Sequence, residues 1–306
     1  MATTDDDVIG ALPAPPNRIL VVGDDIYASA VDRAAFDNPR EGEPGNGGVF
    51  RFRAGELERI ASWPRARLAA VDEDFVWYWY GSFRRTPVHG GDEYRVAMNV
   101  WDIAFDDELA YLVAQGCVFT IPGRGPLTGE AGEAIVVLSA DVAQVEVDDA
   151  YIVTIENEPD DRLGFRIVKR PKRGGAPVEL VRESRSARTF ALRDGIAFVA
   201  LQGGPVLEIS VDGDTRLEVS GTEGVEHIAI DGPFLYWASS DATSRHVLHR
   251  RSLYDPGAPI ERLCELSAGS SPTLVFDVAN GVVAWRESLS TPHRDERHRI
   301  HARRLE

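Results

Sequence analysis

The 306-residue chain has only two cysteines, Cys117 and Cys264, and they lie far apart in the sequence. Two cysteines cannot form the framework of disulfides that small secreted domains need, and such scarcity is typical of proteins in a reducing compartment. We expect each cysteine to be a small, buried hydrophobic residue. The chain also lacks any run of about 20 apolar residues, the length that a membrane helix requires.

A secretory signal is missing from the beginning of the sequence. The first residues read MATTDDDVIGALPAPP and place three aspartates where such a signal carries lysine or arginine. No apolar core segment follows them. These features predict a cytoplasmic protein that makes no contact with a membrane.

Basic residues are outnumbered by acidic ones. The chain has 33 Lys and Arg against 49 Asp and Glu, so its formal net charge is −16 and its sequence pI is about 4.9. This balance opposes binding to the phosphate backbone of nucleic acids and to anionic lipid surfaces. It is compatible with a basic protein partner or a cationic ligand.

Catalytic motifs are absent as well. The glycine-rich residues 123–125 do not join a strand to a helix, so they are not a phosphate-binding loop. His246 and His249 lie on a predicted strand, where residues three apart point to opposite faces. No nucleophile elbow is present. The sequence therefore identifies no catalytic residue.

What the sequence does contain is a repeat. A short strand, a turn and a second apolar strand recur along the chain, as in HIAIDGPFLYWAS from His227 to Ser239. The recurring turn residue falls at Gly23, Asp72, Asp106, Asp148, Arg193, Asp231 and Ala279, with intervals of 49, 34, 42, 45, 38 and 48 residues. A mean spacing of about 43 residues is typical of propeller blades with four strands. In the last copy Asp277 is an alternative turn residue.

The pattern predicts an all-β fold, a β-propeller of four-stranded antiparallel blades, with seven blades favoured and six as the alternative. Third and fourth strands follow the first two in six copies, but the seventh copy ends at Glu306 without a fourth strand. A ring of blades must close because an open strand edge is an aggregation template. We therefore expect residues 7–12 to supply the missing strand. Residues 1–17 would then close the last blade, and residues 18–306 would form a single propeller domain.

The first strand of each blade should line the central tunnel, where small residues fit best. The position two before the turn is alanine in four of the seven copies, but it is Glu146 and Asp277 in two others. Residues two apart share a face of a strand, so a second set of side chains should surround the tunnel mouth. Its polar members are Asp102, Gln144, Thr189 and His227. The six polar residues form the candidate binding site, which holds either ordered water or a divalent cation.

Second strands such as Phe234–Ser239 and Val76–Trp79, arginine-bearing third strands and the Gly90-Gly91 turn resemble those of YWTD-type propellers and related bacterial repeat proteins. No copy contains YWTD itself, and we count seven copies where that family usually has six blades. The resemblance implies binding of a ligand or a protein, and it implies no catalytic residue.

Two functions follow as hypotheses. The favoured one is a non-catalytic cytoplasmic scaffold, without a cofactor, that binds a protein partner through one propeller face. Long predicted loops, such as residues 28–48, would form a raised wall on that face. The alternative is a metal-dependent hydrolase or lyase, in which a divalent cation at the tunnel mouth activates water.

Overall fold

The computed structural model describes residues 8–14, 16–31, 46–63, 65–97, 100–123, 134–136, 141–158, 164–212, 216–225, 227–240, 245–255, 257–268, 276–286 and 298–305. These residues contain 28 strands and no helix. The strands form seven four-stranded sheets, which are the blades of a seven-bladed β-propeller. The predicted fold class is confirmed, with seven blades and not six. By its internal contacts the chain divides into two compact units, residues 1–80, 84–93 and 229–306 (unit 1) and residues 81–83 and 94–228 (unit 2).

Unit 1 contains three complete blades and most of a fourth. The closing blade is built from β1 (Val8–Leu12), β26 (Phe276–Ala279), β27 (Val282–Arg286) and β28 (His298–Arg304). The other strands, in chain order, are β2 (Pro16–Val22), β3 (Asp25–Ala30), β4 (Gly48–Arg53), β5 (Glu56–Ala61), β6 (Arg67–Val71), β7 (Phe75–Tyr80), β8 (Ser82–Pro87), β22 (Ile228–Asp231), β23 (Phe234–Ser240), β24 (Arg245–Ser252) and β25 (Glu261–Ala268). The fourth strand of the β6–β8 sheet, β9 (Tyr94–Ala97), belongs by its residues to unit 2.

Unit 2 contains the three blades in the middle of the chain. Their strands are β10 (Val100–Phe105), β11 (Leu109–Ala114), β12 (Cys117–Pro122), β13 (Ala134–Val136), β14 (Asp141–Val147), β15 (Tyr151–Asn157), β16 (Phe165–Pro171), β17 (Val178–Glu183), β18 (Ala187–Arg193), β19 (Ile196–Leu201), β20 (Val206–Ser210) and β21 (Arg216–Val219). In every blade except the closing one, the four strands follow one another both in the chain and in the sheet.

The N-terminal strand closes the last blade, as the sequence predicts. Strand β1 pairs antiparallel with β28, and Leu12 lies opposite His298. The Leu12 side chain has no exposed surface and packs in one apolar cluster with Ala284 and Ile300 of the same blade. Gly10 lies so close to Phe52 that a Cβ atom there would overlap the phenylalanine ring. The finer division into segments 1–17 and 18–306 stays a prediction.

The recurring aspartate fixes the turn between the first two strands. The Oδ1 atoms of Asp72, Asp106 and Asp148 each accept hydrogen bonds from the backbone N–H groups two and three residues later, at 2.7–3.0 Å. Aspartate is favoured at such turns because its short side chain reaches the backbone two residues on. The repeat therefore reflects a local requirement of the backbone.

Asp231 departs from this pattern for a physical reason. The residue two positions later is Pro233, which has no N–H group to donate. The Asp231 carboxylate instead accepts hydrogen bonds from the backbone N–H groups of Asn280 (2.9 Å) and Gly281 (2.7 Å), in the turn of the next blade. That turn lies between β26 and β27. The alternative prediction, that Asp277 is the turn residue of the seventh copy, is therefore wrong, because Asp277 lies within β26.

Four tight turns have a non-glycine residue with positive φ directly before a glycine with positive φ. Positive φ at both central positions is the mark of a type I′ hairpin, which matches the right-handed twist of the two strands that it joins. The turns are Ala54-Gly55, Gln115-Gly116, Asp194-Gly195 and Asn280-Gly281. Each joins two neighbouring strands of one blade, so these blades need few residues for their connections.

Tryptophans on second strands fill the cores of individual blades. Trp77, Trp237 and Trp285 have no exposed surface. The ring of Trp237 stacks on His249 of the neighbouring strand with centroids 5.8 Å apart, and Trp285 stacks on His301 in the same way at 5.2 Å. These histidines are explained by packing, because each covers the face of a core ring.

Candidate functional site

A β-bulge near the start of the first strand recurs in five blades. It inserts one extra residue, and these residues are Asn17, Ala69, Trp101, Ala143 and Arg188. Bulges redirect side chains and are over-represented near functional sites. Three of the predicted mouth residues, Asp102, Gln144 and Thr189, directly follow a bulge. The beginnings of the first strands are therefore the structural setting of the candidate site.

Asp102 connects two blades of unit 2. Its Oδ2 accepts a hydrogen bond from the backbone N–H of Val145 at 2.8 Å. Val145 lies on β14, the edge strand of its sheet, where an N–H group has no strand to pair with. The carboxylate thus supplies an acceptor that the sheet lacks. Gln144, the neighbour of Val145, has a buried side-chain oxygen that accepts no hydrogen bond from the described residues.

The remaining predicted residues of unit 2 lie within or directly before first strands. Glu146 is half-buried on β14 and lies opposite Val153 of the next strand. Thr189 is half-buried on β18, and His227 is half-buried directly before β22. A hydrogen bond thus joins the Asp102 carboxylate to β14, the strand that carries Gln144 and Glu146. That all six residues form one binding site stays a prediction.

Asp277 performs the corresponding task in unit 1. Its Oδ2 accepts a hydrogen bond from the backbone N–H of Val21 at 2.8 Å, across the junction between the last and first blades. Burial raises the pKa of Asp277 to about 6, and the backbone hydrogen bonds of Val21 and Val278 oppose that rise. Two of the predicted tunnel carboxylates, Asp102 and Asp277, therefore hold edge strands of neighbouring blades.

Within the part of the chain that the structure describes, no three His, Cys, Asp or Glu side chains are grouped as metal ligands would be. The predicted divalent cation and the hydrolase or lyase alternative that depends on it stay predictions. Likewise, no helix among the described residues is long and apolar enough to cross a membrane.

Two tryptophans are exposed, and both lie where the chain passes from one blade to the next. Trp101 is 50% exposed and occupies the bulge of β10, beside Asp102. Trp63 is 36% exposed and lies between β5 and β6. Both follow the fourth strand of one blade and precede or begin the first strand of the next. Exposed tryptophans on rigid elements are typical of binding surfaces.

Trp63 is held rigidly in unit 1. Its ring stacks on Tyr80 with centroids 4.3 Å apart and planes at 16°. The Arg84 guanidinium lies 5.4 Å from the Trp63 ring centre and 5.6 Å from that of Tyr80. The Glu93 carboxylate accepts hydrogen bonds from the Trp63 indole (2.6 Å), the Tyr78 hydroxyl and the Arg84 guanidinium. We call Trp63, Tyr80, Arg84 and Glu93 the aromatic cluster.

Glu93 also affects the chemistry of its neighbours. Burial and then the hydrogen bond to Glu93 raise the pKa of Tyr78 far above its usual range, so the phenol stays protonated and donates. With three donors on one carboxylate, the aromatic cluster keeps its geometry without a ligand. A preorganised surface of this kind loses little conformational entropy when a partner binds.

The basic residues of β16 are committed to internal ion pairs. Arg166 and Arg170 both donate to Glu156, whose side chain has no exposed surface. Lys169 pairs with Asp212 of the neighbouring blade at 3.5 Å, and its ammonium group lies 4.9 Å from the Tyr151 ring centre. These cations therefore stabilise the fold and do not form a free basic patch.

A cleft of about 480 Å³ lies beside this region, in unit 2. It is lined by Glu158, Gly164, Arg182, Glu183, Ser184 and Arg216. Glu183 binds Arg185 through both carboxylate oxygens at 3.0 Å and Arg216 at 2.7 Å. The Arg185 guanidinium holds the pKa of Glu183 at about 2, well below its usual range. The cleft is thus walled by ion pairs that already satisfy each other.

The long loops of the sequence prediction contribute little to this description. Most of residues 28–48 and the central parts of the other long connections lie outside the described residues. The raised wall therefore stays a prediction.

Comparison with known proteins supports the fold. No protein-family model matches the sequence, and no curated protein matches it. A chain in the crystal structure of a mitotic checkpoint complex is similar over 98% of this chain and 95% of its own length, with 10% identity and a TM-score of 0.62. The WD40 β-propeller domain of Doa1 is similar over 72% of this chain and 74% of its own, with 12% identity and a TM-score of 0.50.

A third similar structure is a puromycin-hydrolysing peptidase of Mycobacterium tuberculosis, with 13% identity and a TM-score of 0.61. The match covers 94% of this chain but only 52% of the peptidase, so the chain spans about half the length of that protein. At these identities the comparisons show a propeller fold and nothing finer. The resemblance to YWTD-type repeats in particular stays a prediction.

The sequence analysis did not predict the exposure of Trp63 and Trp101. The signal for Trp101 was its place directly before Asp102, at the start of a first strand, but the bulge at this position is not visible in the sequence. Trp63 follows a fourth strand in a short connection, where an aromatic residue has no core position to fill. The sequence feature that could have identified Trp63 and Trp101 is their place at connections between successive blades.

Proposed function

We propose that this chain is a non-catalytic binding scaffold that engages a protein partner through the connections between successive blades. The observation that carries the proposal is the exposure of Trp63 and Trp101 at two such connections. Three of the other tryptophans, Trp77, Trp237 and Trp285, are fully buried. Leaving a large aromatic side chain in water forgoes the free energy of its burial, which a partner would recover.

Rigidity supports the same proposal. Trp101 is placed by a strand bulge, and Trp63 is fixed by Tyr80, Arg84 and Glu93. Tryptophan, tyrosine and arginine are the residues that most often dominate the energy of protein interfaces. Similarity to a chain from a multiprotein checkpoint assembly and to a WD40 domain is consistent with a protein partner. Similarity to the peptidase extends to the fold alone.

The proposal is tested by affinity purification of the tagged chain from its native host, followed by quantitative mass spectrometry. Wild type is compared with Trp101→Ala, Trp63→Ala and Tyr254→Ala. Tyr254 is the matched control because it is 60% exposed but lies between the third and fourth strands of its blade, at the opposite end from where a first strand begins.

We expect a stoichiometric partner that Tyr254→Ala retains and that at least one tryptophan variant loses. Removal of an interface hot spot costs about 2 kcal/mol or more, which is roughly a thirtyfold loss of affinity. Each variant should keep the melting temperature of wild type within a few degrees. Equal capture by all four proteins, or no stoichiometric partner at all, would contradict the proposal.

A further inference from the structure

The aromatic cluster leaves one side of the Trp63 ring open. One face stacks on Tyr80 with centroids 4.3 Å apart, and the N–H edge is bound to the Glu93 carboxylate at 2.6 Å. The Arg84 guanidinium is almost equally far from the two ring centres, 5.4 Å from Trp63 and 5.6 Å from Tyr80, so it lies beside the stack. The outer face of the indole and the edges next to it therefore account for the 36% exposure of Trp63.

The backbone fixes where this outer face lies. The carbonyl of Trp63 accepts a hydrogen bond from the N–H of Ala66 at 2.9 Å, which closes a turn directly before β6. Arg67, the first residue of β6, lies opposite Trp79 of β7, so Tyr80 is at the end of the blade where β6 begins. Trp63 and Tyr80 thus meet at a connection between blades and present a flat ring without rearrangement.

The charges of the cluster favour an uncharged ligand. Arg84 and Glu93 form an ion pair with side chains that are 23% and 25% exposed, so together they carry no net charge. An anion would compete with Glu93 for Arg84 and would meet the formal charge of −16 of the whole chain. A cation would be repelled by Arg84, which already lies against both rings.

The hydrogen-bonding groups of the cluster favour a ligand that only accepts. Arg84 donates through Nε to the carbonyl of Tyr80 at 3.2 Å and through Nη1 to Glu93. Among the described residues no hydrogen bond uses its Nη2, which can donate to a ligand. Glu93 already accepts from Trp63, Tyr78 and Arg84. A ligand therefore meets a guanidinium donor and a carboxylate that is already engaged.

We propose that the aromatic cluster binds a proline-rich segment of the partner, with a proline ring on the outer face of Trp63 and a backbone carbonyl accepting a hydrogen bond from Arg84. This inference rests on the proposed scaffold function and names the chemistry of its partner. Proline is uncharged and has no N–H to donate. In a polyproline II helix its carbonyls form no internal hydrogen bonds, and aromatic surfaces bind such preformed helices at little cost in entropy.

Defined peptides provide the test. Dye-labelled decaproline, a Gly-Ser decapeptide and a Gly-Ser decapeptide that carries two arginines are each titrated with the full chain, and dissociation constants are measured by fluorescence anisotropy. We expect decaproline to bind at least about tenfold more tightly than the Gly-Ser peptide. Binding of the arginine peptide that is tighter than that of decaproline and is lost in Trp63→Ala would overturn the inference and identify a cationic ligand.

Variants locate the binding. Trp63→Ala should weaken decaproline binding by roughly 5- to 30-fold, the effect of removing an interface hot spot. Arg84→Lys keeps the charge but loses the planar set of donors, and should weaken binding by about 2- to 10-fold. Tyr254→Ala, the control, should change nothing. No binding of decaproline at millimolar protein, equal binding of the Gly-Ser peptide, or an unchanged affinity in Trp63→Ala would overturn the inference.

Trp63→Phe provides a test that does not depend on the stability of the alanine variant. It keeps an aromatic face and removes the indole, so decaproline should bind within about threefold of its wild-type affinity. Unlabelled decaproline does not absorb at 280 nm. Its binding should shift the tryptophan emission of wild type and leave that of Trp63→Phe unchanged. The same shift in both proteins would place the peptide elsewhere and overturn the inference.

The two proposals fail separately. A partner that is captured through Trp63 and is not displaced by decaproline leaves the scaffold function standing and overturns the proline-rich ligand. Binding of decaproline that depends on Trp63, without any stoichiometric protein partner, supports the ligand chemistry and contradicts the scaffold. A partner that is lost in Trp63→Ala and displaced by decaproline supports both.

Discussion

The carboxylate of Asp277 accepts a hydrogen bond from the backbone N–H of Val21 at 2.8 Å, across the junction between the last blade and the first. Its burial raises its pKa from 3.8 to about 6. The folded chain therefore holds a proton that the unfolded chain releases between about pH 4 and pH 6. Because the folded state binds more protons in this window, stability falls as the pH rises through it.

Replacing Asp277 with asparagine removes the titration and keeps a side-chain oxygen for Val21. The difference in unfolding free energy, variant minus wild type, should rise by about 2 kcal/mol between pH 4 and pH 7. Chemical denaturation at a series of pH values measures it. A difference that stays flat over this range would show that the carboxylate does not titrate as the structure predicts.

The ion pairs of Glu183 should give folding stability the opposite pH dependence. Its pKa is lowered to about 2 by Arg185, so the stability that it contributes is present above about pH 4.5 and is lost as the pH falls toward 2. Arg185 and Arg216 are more than a third exposed, so solvent weakens the ion pairs. We expect Glu183→Gln to lower the unfolding free energy at pH 7 by about 1–2 kcal/mol.

The control for Glu183 is Glu179→Gln, since Glu179 pairs with Arg182 on the exposed surface. Glu179→Gln should lower the unfolding free energy at pH 7 by less than Glu183→Gln does. Equal destabilisation by the two variants at pH 7, or a Glu183→Gln effect that persists at pH 2, would argue against the ion-pair explanation.

Leu12 tests the closure of the propeller by its N-terminal strand. The side chain is fully buried among residues of the closing blade and of the blade next to it. Truncation of a fully buried leucine to alanine removes its transfer energy and leaves a cavity, so Leu12→Ala should cost about 2–5 kcal/mol. Pro13→Ala, at the next and exposed position, is the matched control. An unchanged melting temperature in Leu12→Ala would mean that β1 does not hold the blade.

Divalent cations test the alternative function. Asp102 and Asp277 each use a carboxylate oxygen to bind a backbone N–H group. We therefore expect millimolar Mg²⁺, Ca²⁺ or Mn²⁺ to leave the melting temperature unchanged in differential scanning fluorimetry. A rise in wild type that disappears in Glu146→Ala would favour the predicted cation site and the metal-dependent hydrolase or lyase.

Much of the fold could be predicted because the repeated residues meet requirements of the local backbone. Asp72, Asp106 and Asp148 mark turns whose backbone N–H groups need an acceptor, and that need recurs in each blade. The closing strand could be predicted because a sheet with three strands leaves an edge unpaired. Both inferences need only the neighbouring sequence and a general rule about strand edges.

The candidate site was harder to predict because its geometry depends on neighbouring blades. The sequence predicts Asp102 as a tunnel carboxylate, whereas in the structure it accepts a hydrogen bond from the N–H of Val145 at 2.8 Å. Asp231 reads as another local turn residue, yet the absence of an N–H at Pro233 turns its carboxylate toward Asn280. Trp101 is part of a predicted strand, and neither its bulge nor its exposure is visible in the sequence. Register shifts and contacts between blades are not encoded in a single repeat.

The pairing of β1 with β28 also bears on the order of events during synthesis. Val8 pairs with His301, so β1 is synthesised long before its partner strand β28. The six other blades each draw their strands from consecutive stretches of chain and can assemble as they emerge from the ribosome. Until translation reaches β28, however, β1 has no partner strand and Leu12 lacks its apolar neighbours in the closing blade, Ala284 and Ile300. During that interval β1 is an open strand edge, which makes it vulnerable to aggregation.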